Sequence, residues 1–232
     1  MKAVFITGTD TGIGKTIVTG MLAQYLLEKG LSVITQKWIQ TGCEGFPEDI
    51  ETHLRLMNKP KSYMEQYLPL IVPYSFKLPA SAHLAAQVEG VSIDPLRIEQ
   101  GYYQLCKEFD FVIVEGIGGA LVPYNEKSFL IDIAKQLNLP ILVVAQNKLG
   151  CINHATLTIE AIRRRGLHIA GIVFNGCSEE TDQLILKDNP RIISKLTGEM
   201  VLGELPWSMD CDVLRKAFIP IGDRLYQQLI MN

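Results

Sequence analysis

Gly8-Thr-Asp-Thr-Gly-Ile-Gly-Lys-Thr16 is the stretch that decides the fold of this chain. Ala3, Val4, Phe5 and Ile6 precede it, a short apolar run suited to a buried strand. After it, Val18, Met21, Leu22, Tyr25 and Leu26 recur at helical spacing. A strand feeds a glycine-rich turn, and the turn feeds a helix; in that context such a run reads as a phosphate-binding loop. Its glycines let backbone N–H groups converge on phosphate oxygens, and the helix dipole adds attraction for the anion. Lys15 can neutralise β- and γ-phosphates, and the Thr16 hydroxyl can ligate Mg²⁺. The spacing is one residue longer than usual, with Thr9 where a glycine is normal and Gly8 one place earlier. A tight turn carrying a surface lysine is the competing reading.

Outward from the loop, the helix runs to Glu28 or Lys29, Gly30 caps it, and a second strand over 32–36 leads to Lys37. Ligands collect at the carboxyl ends of parallel strands, so Lys37 is expected in the crevice beside the loop rather than snorkelling at the surface. Residues 38–48 read as loop, and Asp49 opens a short helix, either as its cap or as a ligand. Residues 58–80 carry four prolines and read as connections around one short strand near 72–76. Helices follow over 81–88 and 94–107. Phe-Asp-Phe-Val-Ile-Val, 109–114, is the clearest central strand and runs into Glu115-Gly-Ile-Gly-Gly119. A carboxylate there is the second metal-side group expected beside a phosphate loop; a solvent-facing acid is the alternative. Next come a helix over 128–137, a strand over 140–145, and a helix over 151–165 with Leu157, Ile159 and Ile162 inward. A strand over 168–174 ends on Asn175. A helix over 181–196, broken near Pro190, a strand over 200–205 and a helix over 219–230 complete the chain. This alternation predicts one α/β domain over residues 1–232: a P-loop NTPase-like parallel sheet with helices on both faces.

With 232 residues, 47% hydrophobic and 20% charged, the chain has material for one sizeable core, and a net charge of −3 argues against a nucleic-acid partner. Arg163-Arg164-Arg165 is the only basic run and reads as a solvated helix end before Gly166. Cysteines at 43, 106, 151, 177 and 211 form no C-x-x-C pair and are read as free thiols of a reducing cytosol. Neither a leader nor a membrane-length apolar stretch is visible, so a cytoplasmic protein without a membrane partner is expected. Histidines 53, 83, 154 and 168 lack metal-ligand spacing and are read as structural or surface residues. Asn147-Lys148-Leu149-Gly150 resembles the guanine-reading Asn-Lys-x-Asp, but the aspartate acceptor is missing, which discounts GTP.

Taken together, the loop, Lys37, Glu115 and Asn175 make the chain resemble the dethiobiotin synthetases along nearly its whole length. The motifs that carry the resemblance are Gly8–Thr16, Lys37 with Thr41-Gly42, Val114-Glu-Gly-x-Gly-Gly119, Lys148-Leu-Gly-Cys-Ile-Asn-His154 and Gly203-Glu-Leu-Pro-Trp207. The resemblance implies a MgATP-dependent ligase that joins 7,8-diaminopelargonate and CO₂ (or bicarbonate) into dethiobiotin, through a carbamate and a carbamic-phosphoric anhydride. It implies Thr11, Lys15 and Lys37 as catalytic residues. It implies nucleotide contacts from Gly12, Ile13, Gly14, Lys15, Thr16 and Ile17, from Asp49, and from Glu115, Gly116, Ile117 and Gly118. Asn175, Gly176, Glu204, Leu205 and Pro206 would border the adenine. Mg²⁺ would be held by Thr16, Asp49 and Glu115, with Glu48 and Glu51 as alternatives to Asp49. Thr41 would bind substrate, as would Gly150, Cys151, Ile152 and Asn153 contributed by the second subunit of a homodimer. Asn153 could instead cap its helix.

Four positions depart from the family pattern: Gly12 for Glu, Trp38 for Pro, Ala82 for Pro, and Gly176 for Asp. Two other classes compete. The partition and division-site ATPases need a second lysine near Asp10, where this chain has an acid. Cobyrinate-type amidoligases need a glutaminase domain for which the chain is too short.

Overall fold

The computed structural model describes residues 2–176 and 182–231. Cys177 and Thr181, read from sequence as a thiol and a helix start, lie outside the described residues. In chain order the elements are β1 (Lys2–Gly8), α1 (Lys15–Glu28), β2 (Val33–Lys37), β3 (Ile39–Gln40), α2 (Glu48–Leu56), α3 (Leu68–Ile71), β4 (Tyr74–Ser75) and α4 (Ala82–Val88). There follow α5 (Pro95–Glu108), β5 (Phe111–Glu115), α6 (Leu130–Gln136), β6 (Ile141–Asn147), α7 (Cys151–Arg163), β7 (Ile169–Gly176), α8 (Gln183–Thr197), β8 (Val201–Leu205) and α9 (Cys211–Tyr226).

Six strands form one parallel sheet in the order β2-β5-β1-β6-β7-β8. Every residue of β2 and β5 is buried because both faces of the sheet are covered; β5 accordingly reads as an unbroken apolar run up to Glu115, whereas β2 buries Thr35, Gln36 and Lys37 after Val33 and Ile34. α1 lies between α2 and α9 and is buried on nearly all sides. α2 buries Ile50, His53, Leu54 and Leu56, and puts Glu48, Asp49 and Glu51 in its first turn, where the dipole favours anions. Among the described residues no helix is long and apolar enough to cross a membrane.

Several local expectations are corrected. The 38–48 stretch is not all loop, because Ile39–Gln40 pairs with Tyr74–Ser75 in a small parallel bridge. Two residues are too few for any period to show. On α7 the buried stripe is Cys151, Ala155, Ile159 and Ile162; Leu157 lies off it and is 57% exposed, not inward. α8 is not broken at Pro190. A proline removes the bond to the carbonyl four residues back. Here that carbonyl, Leu186 O, accepts instead from Asn147 Nδ2 at 2.9 Å, while Asn189 Nδ2 bonds Asn147 Oδ1 at 2.9 Å. α9 begins eight residues before the predicted start, because Asp210 caps Asp212 N at 2.8 Å and Leu214 and Phe218 already face the core. The arginine run is more than a solvated end. Arg163 ties α7 to Glu199, and Arg165 pairs with Asp132 of α6 at 2.9 Å across the Phe129 ring.

Candidate active site

The register of the sheet assembles the site. Lys37 of β2 is paired with Glu115 of β5, and Glu115 with Ile6 of β1, so three adjacent strands deliver Lys37, Glu115 and the phosphate loop to one end. In the loop, Gly14 has φ 93°, a conformation closed to most residues, and a Cβ there would stand 1.8 Å from Asn175 Nδ2. That amide, from the end of β7, donates to Ile13 O at 2.9 Å and props the loop from behind. Lys15 is buried and donates to Asp10 O at 2.7 Å, which folds the loop around its own lysine. Burial, and next the charge of Lys37, pull its pKa down to about 8.

At the centre, Lys37 Nζ lies 2.8 Å from Asp49 Oδ2 and 2.8 Å from Glu115 Oε1, and donates to Gly116 O at 3.1 Å. Thr16 Oγ1 is 3.1 Å from Asp49 Oδ1 and 3.0 Å from Glu115 Oε1. Burial alone would push the Lys37 ammonium down, but Glu115 and Asp49 outweigh it and hold it above the ordinary lysine value. Burial likewise opposes the Glu115 carboxylate, yet Lys37 and His53 keep it well below the usual carboxylate range. The donor set suits Mg²⁺: two carboxylates and a hydroxyl are hard oxygens, the carboxylates already converge on a cation, the Lys37 ammonium, and the Thr16 hydroxyl lies against both of them. Among the described residues no trio of His, Cys, Asp and Glu offers a softer metal site.

A cavity of about 250 Å³ opens over this cluster, lined by Thr11, Gly12, Gly14, Lys15, Thr16, Lys37, Gln40, Thr41, Asp49, Glu115, Ile117 and Gly118. A second, of about 240 Å³, lies across the loop and is lined by Ile13, Ile17, Gln146, Asn175, Gly176, Pro206 and Trp207, with Ser208, Met209 and Leu214. Gly12 and Gly14 border both, so the loop is the wall between a charged chamber and a largely apolar one. Larger grooves, about 740 Å³ beside Lys187 and about 430 Å³ between His83 and Tyr124, hold no lysine between carboxylates.

Most of the residues singled out from sequence thus converge, but not all. Glu204 Oε1 accepts from Asn147 at 3.0 Å and Leu205 is fully buried; of Glu204, Leu205 and Pro206, only Pro206 lines the apolar chamber. Gly116 is buried beneath the charged chamber, with its carbonyl on Lys37. Gly150–Asn153 form the start of α7 and line neither chamber of their own chain. Asn153 is exposed and makes no cap hydrogen bond. Glu51 pairs with Lys61 at 2.8 Å, away from the cluster. At two of the family departures the structure gives the reason. Trp38 is fully buried, with its indole on Gln36 Oε1 at 2.8 Å and its ring 5.1 Å from Phe5. A Cβ at Gly176 would lie 2.8 Å from Trp207 N, so the aspartate common there would not fit. Sequence reading missed Gln146, Met209 and Leu214 in the apolar chamber, and His53 behind Glu115.

Loop, strand-end lysine and converging oxygens on a parallel sheet define a protein of the P-loop NTPase type. A family model described as an AAA domain matches residues 2–213. An ATP-dependent dethiobiotin synthetase of Pasteurella multocida is 40% identical over 194 residues, covering 84% of this chain and 90% of the relative. Another, from Chlorobaculum tepidum, is 42% identical over 206 residues, covering 88% and 85%. The chain belongs to the dethiobiotin synthetase family and is an ATP-dependent ligase. Among solved structures, the MinD cell division protein of Aquifex aeolicus superposes with TM-score 0.60 at 17% identity, covering 97% of each chain. A ParA family ATPase from Chlorobium tepidum gives 0.56 at 15%, covering 99% and 97%. At these identities the likeness is one of fold.

Proposed function

We propose that the protein carries out the MgATP-dependent carboxylation and ring closure of 7,8-diaminopelargonate with CO₂, giving dethiobiotin, ADP and phosphate. One amine adds CO₂ and loses a proton, forming a carbamate. A carbamate oxygen attacks the γ-phosphorus and ADP leaves, giving a carbamic-phosphoric anhydride. The second amine attacks the carbamoyl carbon, closes the ureido ring and expels phosphate. The observation that carries this reading is the ammonium of Lys37, held 2.8 Å from two carboxylates in a chamber it shares with Lys15, Thr11 and Thr41. A fixed cation there opposes negative charge on the carbamate and on the phosphoryl group in transit, which is what positioning-dependent phosphoryl transfer requires. Lys15 binds the phosphate oxygens, Thr11 and Thr41 orient the carbamate and its amine, and the Gly12–Ile17 turn supplies backbone donors. Asn175, Gly176 and Pro206 border the adenine. Thr16, Asp49 and Glu115 would hold Mg²⁺, which when bound neutralises phosphate charge.

The carboxylate end of the diamine goes to Gly150–Asn153 of a second copy, so the working unit is a homodimer. What supports this is the distance in role: the segment lines neither chamber of its own chain, Asn153 is exposed, and Leu149 beside it is 80% exposed. The reaction has only diffusible small molecules as substrates, consistent with a cytoplasmic enzyme.

The test is ADP release measured with ATP alone, then with diamine, with bicarbonate, and with both. Only the full mixture should turn over quickly, and ¹³C-bicarbonate should raise the product mass by one. Rapid ADP release indifferent to diamine and bicarbonate would point to a nucleotide switch instead.

A further inference from the structure

We propose that His53 is a positioning residue for the metal-side carboxylate Glu115. The inference rests on the reading of Glu115 as a Mg²⁺ ligand and deepens it. Glu115 divides its two oxygens between opposite tasks. Oε1 faces the chamber, 3.0 Å from Thr16 Oγ1 and 2.8 Å from Lys37 Nζ. Oε2 faces inward, 2.7 Å from His53 Nε2. An ionised carboxylate only accepts, so Nε2 carries the proton and donates. The other ring nitrogen is 2.9 Å from Thr35 Oγ1, a β2 side chain that is itself fully buried. The imidazole is thus fixed at both ends, and it fixes in turn which way the carboxylate plane lies.

His53 also shares its helix with the other carboxylate. Asp49 and His53 are four residues apart on α2, so one helix face presents both, one above the other. α2 therefore grips the site twice: Asp49 reaches Lys37 in front, and His53 reaches Glu115 from behind. Without the ring, Glu115 would keep its burial but lose the hold that sets its rotation. Oε1 would then point at the chamber only part of the time. Partners that orient a metal-binding group in this way are typically worth about 10- to 100-fold in metal affinity.

The experiment titrates Mn²⁺ into the protein with a non-hydrolysable ATP analogue, reading free Mn²⁺ by electron paramagnetic resonance. His53→Leu fills the same space without a donor and should weaken Mn²⁺ binding about tenfold or more. Affinity for the nucleotide alone should stay where it is. His53→Gln, whose amide offers a donor in place of Nε2, should restore most of the loss. Thr35→Val, which frees only the far end of the ring, should fall between, and it serves as the probe if the leucine variant does not fold. Wild-type Mn²⁺ affinity in His53→Leu, or in Thr35→Val where the former is lost, overturns the proposal. Glu115→Ala separates the two ideas. If it leaves Mn²⁺ binding unchanged, the ligand reading of Glu115 falls and this proposal with it. If it weakens binding while His53→Leu does not, the positioning role alone is refuted.

Discussion

Lys37→Met removes an ammonium while keeping a chain of similar length in the same slot. The wild-type ammonium is almost fully buried, 2.8 Å from each of two carboxylates. At an effective dielectric of about 20, each contact is worth roughly 6 kcal/mol of gross attraction. Desolvation of the three charges offsets most of it, and losing one partner of a buried pair typically costs about 3–5 kcal/mol. For a chain of this length, each kcal/mol moves the melting temperature by about 2–4 °C, so a fall of roughly 10 °C is expected at pH 7 without metal. The pH dependence gives a sharper test. In the wild type, Lys37 and His53 depress Glu115, so its contribution is present above the unfolded carboxylate value and is lost as pH falls through the folded one. In the variant, burial of Glu115 is opposed by less charge, so its folded pKa rises and protonation becomes favourable to the native state. The stability gap should therefore narrow between pH 7 and pH 5, and Mg²⁺ should narrow it at pH 7 by binding the vacated carboxylates. Urea unfolding with chelator or with Mg²⁺, at both pH values, reads all of this. Equal stability of the two proteins at pH 7 would refute the closed ion cluster.

Lys15, with its pKa near 8, is largely neutral in the free enzyme above that pH, and phosphate must recharge it; ATP binding at pH 8.5 should take up a proton and weaken as pH climbs further. Calorimetry in two buffers of different ionisation enthalpy measures the uptake, and identical heats would contradict it. Gly14→Ala places a methyl on Asn175 Nδ2 at a φ of 93°, so it should weaken nucleotide binding by at least about tenfold, roughly 1.4 kcal/mol, in a fluorescent-nucleotide titration. Asp49→Ala should raise the Mg²⁺ needed for half-maximal rate, whereas Glu51→Ala, which breaks only the exposed pair with Lys61, should not; the reverse result would move the ligand by two residues. Asn153→Ala should raise KM for the diamine and leave KM for ATP unchanged, and a monomer that sediments as such with full activity would dismiss the shared site.

The parts of the site visible in the sequence are those at strand ends. Gly8, Lys37 and Glu115 close β1, β2 and β5, Asn175 stands one residue from the end of β7, and in a parallel sheet such ends fall at one edge. What stayed hidden has no local signature. His53 looks like any helix residue of a half-apolar face, and its meaning comes from Glu115 sixty-two positions away. β3 and β4 are two residues each, and only the fold brings them together. Pro190 reads as a helix breaker until Asn147 arrives from another strand to satisfy the carbonyl that proline strands. Leu157 looks like core because it is leucine; its exposure reflects a stripe set by Cys151, Ala155, Ile159 and Ile162.

The place of β1 in the sheet has a consequence in time. β1 is a central strand flanked by β5 and β6, both made after it, and the last residue of β6, Asn147, emerges from the ribosome roughly 140 residues after Gly8. At about 5–20 residues per second, the apolar run Ala3–Ile6 waits on the order of ten seconds for its two neighbours. Until then the loop that will hold phosphate has no strand to hang from, and an unpaired hydrophobic strand is what other nascent chains find easiest to join. Slow synthesis or a pause before codon 147 should therefore lower the soluble yield, while a pause after it should do little.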